Sequence, residues 1–212
     1  MKKIENLPNK ISIFPLSNFI IFPNTSVPLN IFEPRYIKMI DDSMKSNRII
    51  GMIQPKNKDE IPGLYSIGCA GRITNFNETD DGRYLIVING LIRFKITNEI
   101  ENNKLYRECF VNFKEYNKDL FKNLENLSNN DLEIVFKHFK TLFKKQGYSV
   151  NWKDFKKKNV DQTINTLSMA SPFTLEEKQM LLETLDLESR KNKLIDILKT
   201  YVVDEFSNTT IQ

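Results

Sequence analysis

The hydrophobic periodicity of this 212-residue chain changes near position 120, and that change constrains the fold more than any other feature. Before it, short apolar runs alternate with turn residues, as in β-strands. After it, apolar residues recur at three- and four-residue spacing, as in amphipathic helices. Because strands and helices are segregated along the chain, we predict an α+β fold with a β-rich subdomain at 1–120 and a helical bundle at 121–212.

The first half is predicted to form a mostly antiparallel sheet. Pro28 interrupts the apolar run 27–32, and because Pro cannot donate to a strand ladder, it must lie at the end of a strand or in a strand at the sheet edge. The region 65–113 has the strongest β character, and the Asp-Asp-Gly sequence at 80–82 predicts a hairpin turn within it. The Asn-Gly sequence at 89–90 fits either a second tight turn or a bulge that bends one long strand, and both interpretations stay open.

Regular alternation follows Gly90. In the Ile-Arg-Phe-Lys-Ile sequence at 92–96 the apolar residues share one face of a strand, and Arg93 and Lys95 lie on the other. In the last predicted strand, Cys109 shares a face with the apolar residues Val111 and Phe113. That position predicts a buried thiol that serves packing, not chemistry.

The second half is predicted to be entirely helical. One buried stripe extends over 132–143, a shorter helix covers 160–167, and the last helix covers 194–202. A further helix begins with the capping-box residues Thr174 and Glu177. We place the boundary between the two subdomains in the polar, Asn-rich stretch that precedes these helices.

Three separated motifs carry a family resemblance. The segment FPLSNFIIFPNTSVPLNIFEPRY spans 14–36, IGCAGRI and DDGRYLIVINGLIRFKI span 67–73 and 80–96, and LEEKQMLLETLDLESRKNKLIDIL spans 175–198. In this order and spacing they resemble the Lon N-terminal (substrate-binding) domain family along almost the whole chain. Asn24 stands where that family usually has Gly after Phe-Pro, and Asn also tolerates the positive φ of such a turn.

The resemblance implies a PUA-like β subdomain, a pseudo-barrel, followed by the helical bundle. It also implies a stand-alone, non-catalytic protein- or peptide-binding module without the ATPase and Ser-Lys peptidase of Lon proteases. The sequence contains no phosphate-binding loop, since Gly63 and Gly68 have the spacing but Cys69-Ala70 follow in place of Lys-Ser/Thr. The expected partners are unfolded or partner polypeptides, with a protease or chaperone system beside them, and the alternative is an RNA-binding PUA-like module.

The residue inventory offers little for catalysis. His138 is the only histidine, and the two cysteines, Cys69 and Cys109, lack the CxxC spacing of a zinc site. We predict a solvated His138 and two buried, inert thiols. We therefore predict no enzyme and no catalytic, cofactor-binding or metal-binding residues.

The candidate binding residues lie where a strand gives way to the first helix. Phe22, Phe32 and Tyr36 are predicted to line a shallow groove for apolar polypeptide segments. Glu33 and Arg35 join them by resemblance, because the corresponding region of the family is implicated in contacting unfolded substrates. The alternative interpretation is a helix start with favourable local charge.

Charge and hydropathy argue against nucleic-acid binding and membrane association. The net charge of +4 is spread over both halves, which argues against a dedicated nucleic-acid binder. The Lys-rich run at 153–158, interleaved with Trp152 and Phe155, fits either base stacking or, as we favour, a short helix with solvated lysines. The chain shows neither a signal peptide nor an apolar stretch long enough for a membrane, so we expect a cytoplasmic monomer or weak dimer with no membrane partner.

Overall fold

The chain folds into two compact units, residues 1–122 and 123–212. The computed structural model describes residues 4–17, 19–57, 59, 61–121, 129–145, 147, 149–156 and 158–203. The predicted α+β class is confirmed, because the first unit contains a six-stranded sheet and the elements described in the second unit are all helices. Among the described residues, no helix combines the length and the apolar character needed to cross a membrane.

The first unit is a sheet of six strands, five of which close into a barrel while the sixth pairs at the edge. Its elements are β1 (Lys10–Pro15), β2 (Ser26–Ile31), α1 (Pro34–Met44), β3 (Ile49–Ile53), β4 (Ile67–Glu78), β5 (Tyr84–Ile100), β6 (Arg107–Asn112) and a 3-10 helix (Lys114–Leu120). The strand order is β2-β5-β4-β3-β1-β6, and β6 also pairs with β5. That pairing closes five strands into a barrel and leaves β2, which contains Pro28, at the edge as predicted.

The long strand β5 bends at a bulge. Ala70 on β4 pairs with Ile92, whereas the next residue, Gly71, pairs with Gly90, so Leu91 is the extra residue. Of the two interpretations of the Asn-Gly sequence, the bulge is therefore correct. The bend lets one strand pair with β2 before it and with β6 after it.

A tight turn before β2 folds onto this bulge. Asn24 adopts φ +60°, so it occupies the left-handed conformation for which Gly is usual. Its N–H donates to the carbonyl of Gly90 at 3.0 Å, and the N–H of Gly90 donates to the carbonyl of Thr25 at 2.8 Å. The expectation that Asn preserves the turn is thereby confirmed.

Replacing Asn24 by Ala is expected to cost about 1–2 kcal/mol of unfolding free energy, because Ala lacks the tolerance of Asn for positive φ. Replacing Asn24 by Gly removes the same side chain but not the backbone freedom, and so should cost clearly less. Urea denaturation of both variants measures the difference. Equal losses would show that the side chain of Asn24, not its φ, matters for stability.

Arg93 is buried at 1% exposure, so its predicted place on a polar strand face needs correction. Its Nε and its backbone N–H donate to Asp119 Oδ2 at 2.9 and 3.0 Å, and its Nη2 donates to Oδ1 at 2.8 Å. The guanidinium carbon also lies 4.2 Å from the ring centroid of Tyr116. Because both partners belong to the 3-10 helix, a segment distant in sequence compensates the buried charge.

The second unit contains α2 (Asn129–Lys145), α3 (Trp152–Lys156), α4 (Val160–Ala170), α5 (Leu175–Glu183) and α6 (Leu187–Val203). The predicted capping box opens α5, since the hydroxyl of Thr174 accepts from the N–H of Glu177 and the carboxylate of Glu177 accepts from the N–H of Thr174. Buried Arg190 on α6 donates to the carbonyl of Leu181 in the last turn of α5 at 3.0 Å. That bond satisfies a carbonyl that the helix end leaves without an intrahelical partner.

The aromatic residues of the Lys-rich run pack inside the helical unit. The rings of Trp152 and Phe155 lie 5.7 and 6.5 Å from the ring of Phe136 on α2, which supports the short-helix interpretation. Lys157 and the side chains at 153 and 156 lie outside the described residues. The boundary stretch is predicted at 123–130; its residues 123–128 also lie outside the described residues, and 129–130 belong to α2.

Candidate functional site

A cavity of about 900 Å³ opens on the first unit. Its lining comes from β1, the first turn of α1, the loop at 55–62 after β3, and the connection between β5 and β6 at 101–106. β1 contributes Ile13 and Pro15, and α1 contributes Arg35 and Tyr36. The barrel therefore holds together four segments that are far apart in the sequence.

Apolar side chains remain in water at the edge of this cavity. Ile61 in the loop after β3 is 80% exposed, and Leu105 in the β5–β6 connection is 67% exposed. Pro55 and Pro62 belong to the same lining. Large aliphatic residues exposed beside a concave surface are typical of binding sites, because a ligand removes them from water.

Arg107 on β6 connects three parts of the lining. Its Nε and Nη2 donate to the two carboxylate oxygens of Glu99 on β5 at 2.5 and 2.6 Å. Its Nη1 donates to the carbonyl of Pro62 in the loop at 2.7 Å. The hydrogen bonds to Glu99 raise the pKa of Arg107, so the guanidinium stays charged and its three hydrogen bonds persist.

The β5–β6 connection is fixed on both sides of Leu105. Tyr106 donates from its hydroxyl to Asp42 on α1 at 2.8 Å. Lys104 donates to the Tyr106 hydroxyl at 3.0 Å and to Glu108 at 2.9 Å. Burial raises the pKa of Tyr106, which keeps its hydroxyl a donor at neutral pH. Leu105 is therefore presented to solvent by anchored neighbours.

Tyr36 is a buried phenol at the cavity. It is 7% exposed, and its ring lies 4.4 Å from that of Phe14. The guanidinium of Arg35 lies 4.6 Å from the Tyr36 ring centroid and pairs with the carboxylate of Glu33 at 2.7 Å. Burial raises the pKa of Tyr36, and the nearby Arg35 opposes that shift. None of the described residues forms a hydrogen bond with the Tyr36 hydroxyl.

The five predicted binding residues are only partly brought together. Arg35 and Tyr36 line the cavity, and Glu33 pairs with Arg35 without belonging to the lining. Phe32 is 67% exposed and lies outside the lining. The prediction that Phe22 lines a groove is wrong, because the turn that follows it folds onto the bulge of β5 and the side chain is fully buried.

Sequence reasoning missed Ile61, Leu105 and Arg107. Each of the two aliphatic residues stands in a polar stretch, KNKDEIPG and ENNKLYRE. An isolated large apolar residue within a charged loop is a usable signal, although it does not reveal that the two loops meet. The role of Arg107 depends on a main-chain carbonyl in another loop, for which no sequence pattern exists.

The cavity lining is balanced in charge and poor in acid–base chemistry. Its described residues include three cationic ones, Arg35, Lys104 and Arg107, and three acidic ones, Asp59, Glu99 and Glu101. The shifts at Tyr36, Tyr106 and Arg107 all raise the pKa of a group that is already protonated at neutral pH. None of these three groups is therefore adjusted for general acid–base work near pH 7.

The other reactive side chains do not belong to this lining. Cys69 and Cys109 are free thiols inside the barrel, and burial raises the pKa of Cys109 to about 11. His138 is half-buried on α2 in the second unit. Within the described part of the chain, no group of three or more His, Cys, Asp or Glu residues has metal-binding geometry.

Comparison with known proteins places the chain in context. Residues 10–200 match the family model for the ATP-dependent protease La (LON) substrate-binding domain. A Lon protease from Desulfosudis oleivorans is 28% identical over 198 residues, which cover 90% of this chain and 24% of that protein. Lon protease 2 from Myxococcus xanthus is 27% identical over 209 residues, with 92% and 24% covered. The chain thus spans about a quarter of the length of these curated relatives.

Solved structures share the fold. A Lon N-terminal domain protein from Xanthomonas campestris superposes with a TM-score of 0.63 at 18% identity, covering 90% of this chain and 97% of that one. The N-terminal domain of a Mycobacterium avium complex Lon protease gives a TM-score of 0.62 at 18% identity, covering 90% and 98%. Identities this low establish the common fold and leave the chemistry of the cavity to be argued from this chain's own residues.

Proposed function

Because this chain belongs to the ATP-dependent protease La (LON) substrate-binding domain family, we propose that it is a non-catalytic module that binds polypeptides. We place the binding site at the cavity of the first unit, between the loop after β3 and the β5–β6 connection. The exposure of Ile61 and Leu105 at this cavity is the observation that carries the proposal. The partners would be apolar segments of unfolded or partner polypeptides, delivered to or held for a protease or chaperone system.

The energetics suit weak, sequence-tolerant binding. Removing an aliphatic side chain from water contributes roughly 1.5–3 kcal/mol. Burying Ile61 and Leu105 against a ligand therefore supplies much of the free energy of a micromolar complex, before ordering costs are subtracted. The anchored neighbours of Leu105 reduce those costs, because the connection needs little ordering on binding.

A catalytic role finds no support at the cavity. Its described groups with shifted pKa values, Tyr36, Lys104, Tyr106 and Arg107, are all held more firmly in the protonated form that they already have at neutral pH. Nucleophilic and general-base catalysis instead require a group with a pKa lowered towards or poised near neutrality. We therefore propose a module that recognises polypeptides and performs no reaction on them.

RNA binding, the alternative, is not favoured. Affinity for nucleic acid derives largely from cations that neutralise phosphates and release counterions. Among the described residues of the cavity lining, three cations are matched by three acids, and Arg107 already donates to Glu99 through both Nε and Nη2. These described residues offer no excess positive charge to a phosphate backbone.

We also propose that the site extends towards the start of α1. Phe32 is two-thirds exposed directly before Glu33, and Arg35 belongs to the cavity lining. An aromatic side chain at that position provides a second apolar contact for a client long enough to reach beyond the cavity. The Phe32→Ala variant should weaken long unfolded clients more than short peptides.

Replacing Leu105 by Asp is expected to weaken the binding of an unfolded protein at least about tenfold, or roughly 1.4 kcal/mol. The change removes apolar contact area and places a charge where the client would bury it. Reduced, carboxymethylated α-lactalbumin is a suitable probe, because it cannot refold, and fluorescence anisotropy measures its dissociation constant.

The matched control is Leu85→Asp, the same substitution at an exposed position of β5 outside the cavity lining. Its dissociation constant should stay within about twofold of the parent value, well under the tenfold that 1.4 kcal/mol represents. Equal weakening by both substitutions would move the binding site away from the cavity. No measurable binding by the parent protein would refute the proposed function.

A further inference from the structure

The Tyr36 hydroxyl is a hydrogen-bonding group that the fold leaves unused. Tyr36 lines the cavity, is 7% exposed, and has no hydrogen-bond partner for its hydroxyl among the described residues. The ring of Tyr36 is buried, but its hydroxyl oxygen keeps access to the cavity, and an unpaired polar group avoids a large free-energy cost only where water can reach it. In a cavity lining, the natural partner is water in the free state and a ligand in the bound state.

The orientation of this phenol is fixed before any ligand arrives. Phe14 packs 4.4 Å from the Tyr36 ring, and the guanidinium of Arg35 lies 4.6 Å from its centroid. Burial raises the pKa of Tyr36, which keeps the hydroxyl protonated and able to donate throughout the neutral range. A donor held in this way requires little ordering on binding.

Charge balance determines which acceptor fits. The three cations of the described lining are already engaged: Arg35 pairs with Glu33, Arg107 with Glu99, and Lys104 with Glu108. Against these residues, the carboxyl-terminal carboxylate of a polypeptide would lose its water without gaining an unpaired cation. A neutral carbonyl of an internal peptide bond suffers no such loss and accepts one hydrogen bond from a phenol.

Building on the proposed function, we infer that the Tyr36 hydroxyl donates a hydrogen bond to a main-chain carbonyl of an internal client segment. An apolar side chain next to that carbonyl fills the space lined by Ile61 and Leu105. Tyr36 thus makes the site select neutral, internal segments of a polypeptide over chain termini.

The first test is Tyr36→Phe, which removes the hydroxyl and keeps the ring that packs on Phe14. We expect it to bind carboxymethylated α-lactalbumin about tenfold more weakly, with an unchanged thermal unfolding midpoint. Tyr65→Phe is the matched control, because Tyr65 lies outside the cavity lining, and it should bind like the parent. Parent-like binding by Tyr36→Phe would overturn the inference.

A second test locates the carbonyl. Overlapping α-lactalbumin peptides are first compared as competitors of carboxymethylated α-lactalbumin. The best competitor is then made with a free and with an amidated carboxyl terminus. In a further set, each of its internal peptide bonds is replaced in turn by an ester. An ester carbonyl is a weaker acceptor, so at one position the ester should weaken binding to the parent and not to Tyr36→Phe. Tighter binding of the free-acid peptide than of the amidated one would overturn the inference, because it would indicate terminus recognition.

The outcomes separate the two proposals. If the parent protein does not bind unfolded α-lactalbumin at all, the proposed function fails and this inference fails with it. If Leu105→Asp weakens binding while Tyr36→Phe does not, the cavity remains the binding site and only the role of the hydroxyl is refuted.

Discussion

Replacing Arg93 by Met is expected to lower the free energy of unfolding by about 3–5 kcal/mol. Arg93 forms three hydrogen bonds with the Asp119 carboxylate, two from its guanidinium and one from its backbone N–H, and the Asp119 side chain is only 8% exposed. Removing the cation leaves Asp119 as an uncompensated charge in a site of low dielectric constant, which is the costly way to break a buried pair. Equilibrium urea denaturation followed by far-UV circular dichroism measures the loss.

Two further variants separate charge from geometry. Arg93→Lys keeps the charge but loses the planar fork that matches the Asp119 carboxylate, so it should recover only part of the stability. The double variant Arg93→Met, Asp119→Leu removes both charges and should be more stable than Arg93→Met alone. Arg83→Met, which breaks an exposed pair with Asp81 in the β4–β5 turn, should leave stability nearly unchanged. A loss at Arg93 no larger than at Arg83 would contradict the argument.

The features that sequence predicted correctly are those determined by neighbours in the chain. The capping box at Thr174, the hairpin turn at 80–82 and the edge position of Pro28 each depend on a few adjacent residues. The same holds for Asn24, whose tolerance of positive φ is a property of the residue itself. Local chemistry of this kind is legible in a sequence without knowledge of the tertiary fold.

The features that sequence predicted wrongly depend on distant partners. Alternation placed Arg93 opposite the apolar face of β5, but a closed barrel leaves few faces in water, and Asp119 lies 26 residues further on. Phe22, which was predicted to line a groove, is likewise fully buried, because the turn that follows it folds onto the distant bulge of β5. Alternation of buried apolar and exposed polar residues is expected only where one face of a strand is in water, and it fails where both faces are covered.

In the candidate site, too, the residues that sequence predicted are close together in the chain, and those that it missed depend on distant segments. Arg35 and Tyr36 were found through a motif at a strand-to-helix junction, which is continuous in sequence. The opposite side of the cavity combines the loop after β3 with the β5–β6 connection, and only the pairing of β6 with β5 and β1 brings these two loops together. A site built across such a closure becomes visible once the strand order is known.

Replacing Gly90 by Ala is expected to lower the free energy of unfolding by about 3 kcal/mol. An added Cβ would lie 2.1 Å from the main-chain oxygen of Phe22, so main chain, not a flexible side chain, would have to move. Gly90 does not have positive φ, which means that the cost arises from this contact and not from its dihedral angles. The displacement would also strain the hydrogen bonds that join the turn at 22–25 to the bulge of β5.

Gly63→Ala is the matched control, because the same methyl group there would meet only Lys56 Cδ at 4.0 Å. It should leave stability unchanged or raise it by about 0.4–1 kcal/mol, because Ala lowers the conformational entropy of the unfolded chain.

The bulge also sets the direction of β5 towards Glu99 and Ile100 in the cavity lining. Gly90→Ala should therefore weaken client binding even where the protein is still folded, and parent-like stability and binding in this variant would show that the contact between Phe22 and Gly90 does not determine the bend.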